Sequence, residues 1–391
     1  MRRSFKFLLR PTSKQVDTLR ATLAIHCEVY NAALEHRREA WRKARKSISV
    51  YTQCLELTEV RQIRPDVAAV SARSLQQTLR RLDLAFQGFF RRVQAGETPG
   101  YPRFRPVHRF DSLTFPQPPA GGGVRNGRIH VPGIGSIKLH QHRPIPGGAR
   151  VKQVKVRREG RRWFAILACE TVPARDFPQP IREHVGVDLG VASLATTSDG
   201  KHYPNACHLA ASAARIAAVQ QELSRCRRSS NRRRKAARRV AVLYAKVRRQ
   251  RLDTAHKVAL DLVRCHDVVV HERLVIANMV RRPAPRPNGD GTYAPNRAAA
   301  KSGLNRSIYD AGWGVLTRVL AEKAEEAART VIAVDPRHTS QRCHECGHVA
   351  AGNRVTQAAF RCLSCGHEAH ADVNAAKNIL RAGLALREAA A

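Results

Sequence analysis

Residues 185–190 read Val185-Gly186-Val187-Asp188-Leu189-Gly190, a short β-branched run that ends on a carboxylate. Such a run predicts a buried strand with Asp188 at its end, and the flanking glycines would let a bulky phosphate come close. A lone Asp at a strand end is more often a turn or cap residue, so the stretch needs partners. One lies downstream, where Asp267-Val268-Val269-Val270-His271-Glu272 is a second apolar run terminating in Glu272. A third is Asp372 in Ala371-Asp372-Val373-Asn374-Ala375-Ala376-Lys377-Asn378-Ile379, where small and apolar residues at helical spacing put Asp372 near a helix start. An N-cap role is the plainer alternative there. A helix packed across the sheet would instead present Asp372 to Asp188 and Glu272. Three gathered carboxylates repel one another unless hard divalent ions neutralise them. Two Mg2+ or Mn2+ ions then have a task, one activating a water for in-line attack at phosphorus and the other stabilising the leaving oxygen.

A more specific pattern follows. Cys343-His344-Glu345-Cys346 and Cys362-Leu363-Ser364-Cys365 are separated by fifteen residues, and each pair is followed by Gly-His. Tetrahedral zinc needs four such ligands, so Cys343, Cys346, Cys362 and Cys365 predict a zinc ribbon holding one structural ion. A redox dithiol is the alternative, and two knuckles in tandem argue against it. His344, His348 and His367 lie close by, but four thiolates already close the shell. The other six cysteines are scattered without a framework, which suits a reducing compartment.

Lys and Arg number 69 against 31 acids, a formal charge of +38 that would drive a compact chain apart without a polyanion to neutralise it. Nucleic acid is the expected partner, although a scaffold of the ribosomal kind or a membrane-surface binder would share that charge. The densest stretch runs from Arg225 to Arg251, with thirteen basic residues and no acid. Val240, Val242, Leu243 and Val247 give it a packing face. The charged face makes Arg227, Arg228, Arg232, Arg233, Arg234, Lys235, Arg238, Arg239, Arg248, Arg249 and Arg251 candidates for sequence-blind phosphate contacts. No stretch approaches the roughly 20 apolar residues of a membrane span, and the start, Met-Arg-Arg-Ser-Phe-Lys-Phe, is a charged strand rather than a leader. The expectation is a soluble, cytoplasmic protein without a membrane partner.

With 391 residues and 43% hydrophobic content, two or three domains are expected. Residues 2–9 alternate as a strand, and Pro11-Thr12 opens a helical region over about 13–95, with Leu19, Leu23, Val29 and Leu34 at helical spacing. From Gly100 the pattern shifts to short runs at 112–116, 127–131, 135–140, 150–157 and 162–172, with Gly121-Gly122-Gly123 and Pro146-Gly147-Gly148 between them. A small antiparallel barrel fits, residues 2–9 supplying its first strand. The remainder predicts an α/β domain: a strand pair in 184–197, two helices within 209–265, a strand at 267–271, a loop over 281–304, a helix near 306–328 and a strand at 330–334.

Taken together, Gly-Val-Asp-Leu-Gly-Val at 186–191, Val-Val-His-Glu-Arg-Leu at 269–274, Thr-Ser-Gln-Arg-Cys-His-Glu-Cys-Gly at 339–347 and Ala-Asp-Val-Asn-Ala-Ala-Lys-Asn-Ile at 371–379 resemble the TnpB family. These are RNA-guided endonucleases encoded by insertion sequences and related to compact type V CRISPR effectors. Phe7 to Gln15 resembles the family's opening strand and turn, and Tyr101-Pro102-Arg103-Phe104 its return to the barrel, which adds Tyr101 and Arg103 as candidate nucleic-acid contacts.

The resemblance implies a wedge-type barrel (1–12 and 98–182) interrupted by a helical recognition region (13–97), then a split RuvC nuclease of RNase H-like fold (183–338 and 369–391) with the zinc ribbon (339–368) inserted before its last motif. Asp188, Glu272 and Asp372 match the three acidic motifs. The implied partners are a guide RNA transcribed from the element's end, double-stranded target DNA with its displaced single strand, and a short target-adjacent motif read by the protein, in a monomeric ribonucleoprotein that sits on the nucleoid when bound. Many members carry Asp-Arg before the final Asp, where His370-Ala371 stands here. That keeps the ion ligands and removes an Arg that would contact phosphate or a neighbouring acid. The competing readings are an RNA-guided regulator with weak or lost catalysis, a transposase that performs strand transfer itself, and a plain zinc-ribbon DNA-binding protein.

Overall fold

Phe5, Phe7 and Leu9 alternate along one strand and are all buried, and the core of the first unit gathers on that side. The computed structural model describes residues 3–116, 118, 124–170 and 183–389. It divides into two units, Met1–Pro173 and Ala174–Ala391.

In the first unit, β1 (Arg3–Arg10) leads into α1 (Ser13–Ala44), α2 (Val50–Ile63), α3 (Pro65–Ala68) and α4 (Ala72–Gln94). Thr12 starts the first helix with a reciprocal cap: its hydroxyl accepts from the Gln15 amide, while the Gln15 side chain accepts from the Thr12 amide. Leu19, Leu23 and Leu34 of α1 and Leu75, Leu79 and Leu82 of α4 join the same core as Phe7 and Leu167. Strands β2 (Ser112–Pro116), β3 (Val124–Arg125), β4 (Arg128–Val131), β5 (Gly135–His140), β6 (Arg150–Glu159) and β7 (Arg162–Glu170) follow. With β1 they form one antiparallel sheet in the order β2-β6-β7-β1-β5-β4-β3. This corrects the expected barrel. The first strand lies in the middle, paired with β7 and β5, and among the described residues no ladder joins β2 to the two-residue β3. The sheet is a curled half-barrel. The Gly121-Gly122-Gly123 turn, Arg2, and residues 171 and 172 of the expected last strand lie outside the described residues.

The second unit comprises β8 (His184–Asp188), β9 (Ser193–Thr197), β10 (His202–Pro204), α5 (Ala213–Arg225), α6 (Asn231–Cys265), β11 (Val268–Glu272), α7 (Ile276–Met279), β12 (Arg286–Pro287), β13 (Tyr293–Ala294), α8 (Ala298–Ala311), α9 (Trp313–Glu326), β14 (Thr330–Val334), β15 (Ala359–Arg361), β16 (Glu368–His370) and α10 (Ala371–Glu388). Its main sheet runs β10-β9-β8-β11-β14, antiparallel across the first three strands and parallel across the last three. The single helix expected near 306–328 is two helices, because Gly312 takes a left-handed φ of +70° and ends α8 as α9 begins. The expected loop 281–304 is shorter than read: it holds the β12–β13 hairpin, and its Ala-rich end already belongs to α8.

Strand alternation assigns the two faces of this sheet. Val185, Val187 and Val269 pack with Leu262 of α6 and Leu316 of α9, whereas Val268 and Val270 face Ile379 of α10. Gly186 lies on the α10 side, and a Cβ there would stand 1.9 Å from the carbonyl oxygen of Ala376. The glycine therefore admits a helix backbone. This corrects the reading in which it makes room for phosphate; Gly190 likewise serves a tight turn, its absent Cβ falling 2.9 Å from the Ser193 carbonyl oxygen. Gly186→Ala should push α10 off the sheet at a cost of about 3 kcal/mol, lowering the melting temperature by roughly 6–12 °C. A melt unchanged within a degree would refute that packing argument. Among the described residues no helix is long and apolar enough to cross a membrane.

Candidate catalytic and metal sites

Asp188 is the last residue of β8 and Glu272 the last of β11, and these parallel neighbours pair Val187 with His271, so the two acids end adjacent strands. Each lies two residues beyond a residue that faces α10, Gly186 and Val270, and alternation turns both acids to that side. Asp372 arrives from α10 itself, in the first helical turn. It is not the cap. His370 caps the helix, its Nδ1 accepting from the Asp372 amide at 3.3 Å, which leaves the Asp372 carboxylate free to turn elsewhere.

The carboxylates are held from the ribbon as well as the sheet. Arg354 donates to Asp372 Oδ1 at 2.9 Å, and Thr339 donates its hydroxyl to Glu272 Oε1 at 2.6 Å. Glu272 and Asp372 are buried. Sequence reading missed Arg354, because one arginine among 69 basic residues carries no marker. Thr339 stood in a quoted motif without a role. Ala371, where many relatives are expected to carry Arg, is wholly buried with Cys343, Phe360 and Cys362. A long cation does not fit that place, and the guanidinium beside Asp372 comes from Arg354.

Burial, followed by the charges of Glu272 and Asp372, pushes Asp188 up to about 7, against the opposing pull of Arg354 and the Leu189 amide. Burial also raises Glu272, opposed by the Thr339 hydroxyl and Arg354. Desolvated oxygens that resist ionising together form a donor set suited to hard divalent cations. Among the described residues, the groups whose ligand atoms all lie within 4.8 Å of one another are the four cysteines and His344, Glu345 and His367, so the acids are gathered less tightly than a one-ion cage. Two ions about 3.5–4 Å apart span a wider donor set.

The raised Asp188 value has a consequence for pH. The folded chain holds a proton that the unfolded chain releases in the ordinary carboxylate range, so metal-free stability contributed by this group is present at low pH and is lost as pH rises through about 7. Melts of metal-free protein at roughly pH 6 and 8 should differ more for the natural chain than for Asp188→Asn. Equal differences would refute the burial argument.

The four cysteine sulfurs suit zinc. Cys343 Sγ lies 3.8 Å from Cys365 Sγ, and Cys346 Sγ lies 3.6 Å from Cys362 Sγ. Zn–S bonds of about 2.3 Å in a tetrahedron require sulfur separations near 3.8 Å. Both knuckles turn alike: the Cys343 amide donates to the His348 carbonyl and the Cys362 amide to the His367 carbonyl, with Gly347 and Gly366 at φ +77° and +72°.

Of the basic candidates, Arg227, Arg228, Arg232, Lys235, Arg238 and Arg249 are exposed along the α5–α6 hairpin. Others are engaged by the fold. Arg239 pairs with Glu222, Arg233 donates to the carbonyls of Leu223 and Cys226, Arg234 bonds Asn231, and Arg251 donates to Asp310 Oδ1 at 2.8 Å. Arg248 is exposed, and Val242, expected to pack, is exposed too. In the first unit Arg103 is exposed, and Tyr101 sits edge-on to Phe86 and Phe89 with a face open to solvent.

The family model for the Cas12f1-like TNB domain matches residues 313–379, the OrfB IS605 model described as "Probable transposase" matches 167–282, and a helix-turn-helix model matches 1–46, where this chain has one strand and one helix. The chain is 34% identical to "Putative RNA-guided DNA endonuclease InsQ" of Escherichia coli K12, over 98% of this chain and 92% of that relative. A Streptomyces pristinaespiralis relative, "Putative RNA-guided DNA endonuclease", is 32% identical over 98% and 90%. The CRISPR-associated endodeoxyribonuclease Cas12f1 of Sulfoacidibacillus thermotolerans is 52% identical over 75 residues, 19% of this chain and 17% of that one. The mini-RNA-guided endonuclease CRISPR-Cas_phi3 shares the fold, with a TM-score of 0.50 at 10% identity over 98% of this chain and 92% of that one.

Proposed function

Because this chain belongs to the TnpB family of insertion-sequence proteins, we propose that it is a guide-RNA-directed, divalent-metal-dependent DNA endonuclease whose RuvC-type site is formed by Asp188, Glu272 and Asp372. The observation that carries this reading is the convergence of three acids from β8, β11 and α10 on one face of the sheet. The strand order, three antiparallel strands followed by two parallel additions, supports an RNase H-like nuclease domain.

Two Mg2+ or Mn2+ ions on these carboxylates would supply an activated water and neutralise the leaving oxygen. The chain's own part is positional. Thr339 and the β11 backbone orient Glu272, α10 carries Asp372, and Arg354 offsets the acids' mutual repulsion. The cysteine ribbon, loaded with zinc, fixes Thr339 and Arg354 against the site.

Guide pairing reads the sequence while basic side chains hold the duplex through its backbone, which gives the charge of +38 a role. The guide comes from the element's end, a short adjacent motif is read by the protein, and the complex acts as a monomer in the cytoplasm on the nucleoid. A site that takes one strand at a time cuts the displaced strand and then the target strand, leaving a staggered break.

The test has two stages. RNA that copurifies is sequenced, and one defined noncoding transcript is expected; heterogeneous or absent RNA would favour a plain zinc-ribbon DNA-binding protein. The recovered guide is then assayed with matched DNA and Mg2+. Staggered double-strand breaks support the reading, binding without cutting would favour the regulator, and joined strand-transfer products would favour a transposase.

A further inference from the structure

We propose that His344, Glu345 and His367 form a second transition-metal site on the ribbon, distinct from the four cysteines and from the acids. Their ligand atoms all lie within 4.8 Å of one another. His344 and His367 meet edge to face with ring centroids 4.6 Å apart, one following the first cysteine of the ribbon and the other the last Cys-Gly step.

Hydrogen bonding decides which nitrogen of His344 is available. Asn374 donates its amide nitrogen to the Arg342 carbonyl at 2.8 Å and accepts the His344 backbone amide at 3.0 Å, so its Oδ1 faces His344 as an acceptor. His344 Nδ1, 3.0 Å from that oxygen, must therefore carry the proton. The lone pair belongs to Nε2. An imidazole whose other N–H is held by a carbonyl oxygen is the usual arrangement of a metal-bound histidine.

What surrounds Nε2 calls for a cation, a place that the Lys377 ammonium takes here. Glu345 Oε1 lies 2.9 Å away and Lys377 Nζ 3.1 Å away. The unprotonated Nε2 opposes its lone pair to the carboxylate, and the ammonium of Lys377 lies against that lone pair. His367 Nε2 is buried nearby with no hydrogen-bond partner. A dication in place of the Lys377 ammonium satisfies all three donors at once, and Lys377, being exposed, is free to swing into solvent. Two imidazoles and one carboxylate select Zn2+, Co2+ or Ni2+ over Mg2+. Bonds of about 2.0–2.1 Å need ligand atoms about 3.3 Å apart, within reach of small rotations at the exposed Glu345 and the half-buried His367. Such an ion would clasp one knuckle to the other on the side where His344 meets α10.

Full-length protein, freed of RNA and carrying one equivalent of zinc, is titrated with Co2+ in excess Mg2+ and followed by visible absorption and metal analysis. The natural chain should take a second equivalent, whose bands lack thiolate charge transfer. His367→Gln and Glu345→Gln should each weaken that equivalent at least about tenfold while keeping the first. His344 is left intact because it anchors α10. Saturation of the natural chain at one equivalent, or a second equivalent bound equally well by both variants, would overturn the proposal.

Discussion

Asp188→Ala lowers matched-guide cleavage by about a thousandfold or more, leaves target binding intact, and does not destabilise the protein. The last part distinguishes this residue from an ordinary buried side chain. Asp188 is the acid on which the charges of both Glu272 and Asp372 bear, and burial alone already holds it away from its charged form. Removing it relieves repulsion within the metal-free fold. The same substitution at Glu272 would take one of two acceptors from the Thr339 hydroxyl, leaving the Pro336 carbonyl, and at Asp372 would leave Arg354 with the Gln357 carbonyl and no carboxylate, each with a folding cost. Rates with Mg2+, binding by mobility shift and a metal-free melt on one preparation check all three statements. Cleavage near the natural rate would remove the proposed site, and a melting temperature lowered by several degrees would remove the repulsion argument.

Cys343→Ser is expected to cost as much activity as losing Arg354, or more, although its sulfur belongs to the ribbon and not to the acid cluster. Cys343 is wholly buried against Phe360, Cys362 and Ala371, and it lies between Thr339 and His344 in sequence. On one side Thr339 holds Glu272. Next to it the Arg342 carbonyl holds Asn374 and Asn378 of α10, and on the other side the His344 amide bonds Asn374 while Arg381 bonds the His344 carbonyl. Loss of zinc therefore loosens two of the three acids together. Arg354→Ala, with the ribbon intact, should reduce cleavage by about 10–100-fold, and Cys343→Ser by at least as much, with the zinc held by the four cysteines lost. A zinc-free variant that cuts at the natural rate would show that the ribbon does not hold the site.

The backbone positions of the three acids were legible from pattern, Val185 and Val187 before Asp188, Val268 to Val270 before Glu272, and the small helical face after Asp372, but each alone also fits a cap or a strand end, and it was the order of the flanking motifs that grouped them. The cysteines were legible from spacing alone. What escaped were features decided by contacts distant in sequence. Gly186 looks like room for a ligand until α10 is laid over it. Arg354 is one arginine among many until its hydrogen bond to Asp372 is seen. Gly312 inside a helical pattern did not announce a break, and β10, three residues long, is too short for periodicity to register. The first sheet's order was hidden for the same reason, since nothing local says that the opening strand lies between β7 and β5.

The junction at His370 and Ala371 has no spacer. Strand β16 ends on one residue and α10 begins on the next, with the Ala371 amide donating to the Ala358 carbonyl inside the ribbon. Ribbon and α10 are thus a single graft for protein engineering. A chimaera that borrows the ribbon of a relative must carry the first turn of α10 with it, and a version that replaces the ribbon by a short flexible loop would have to rebuild the seat of Asp372 from nothing.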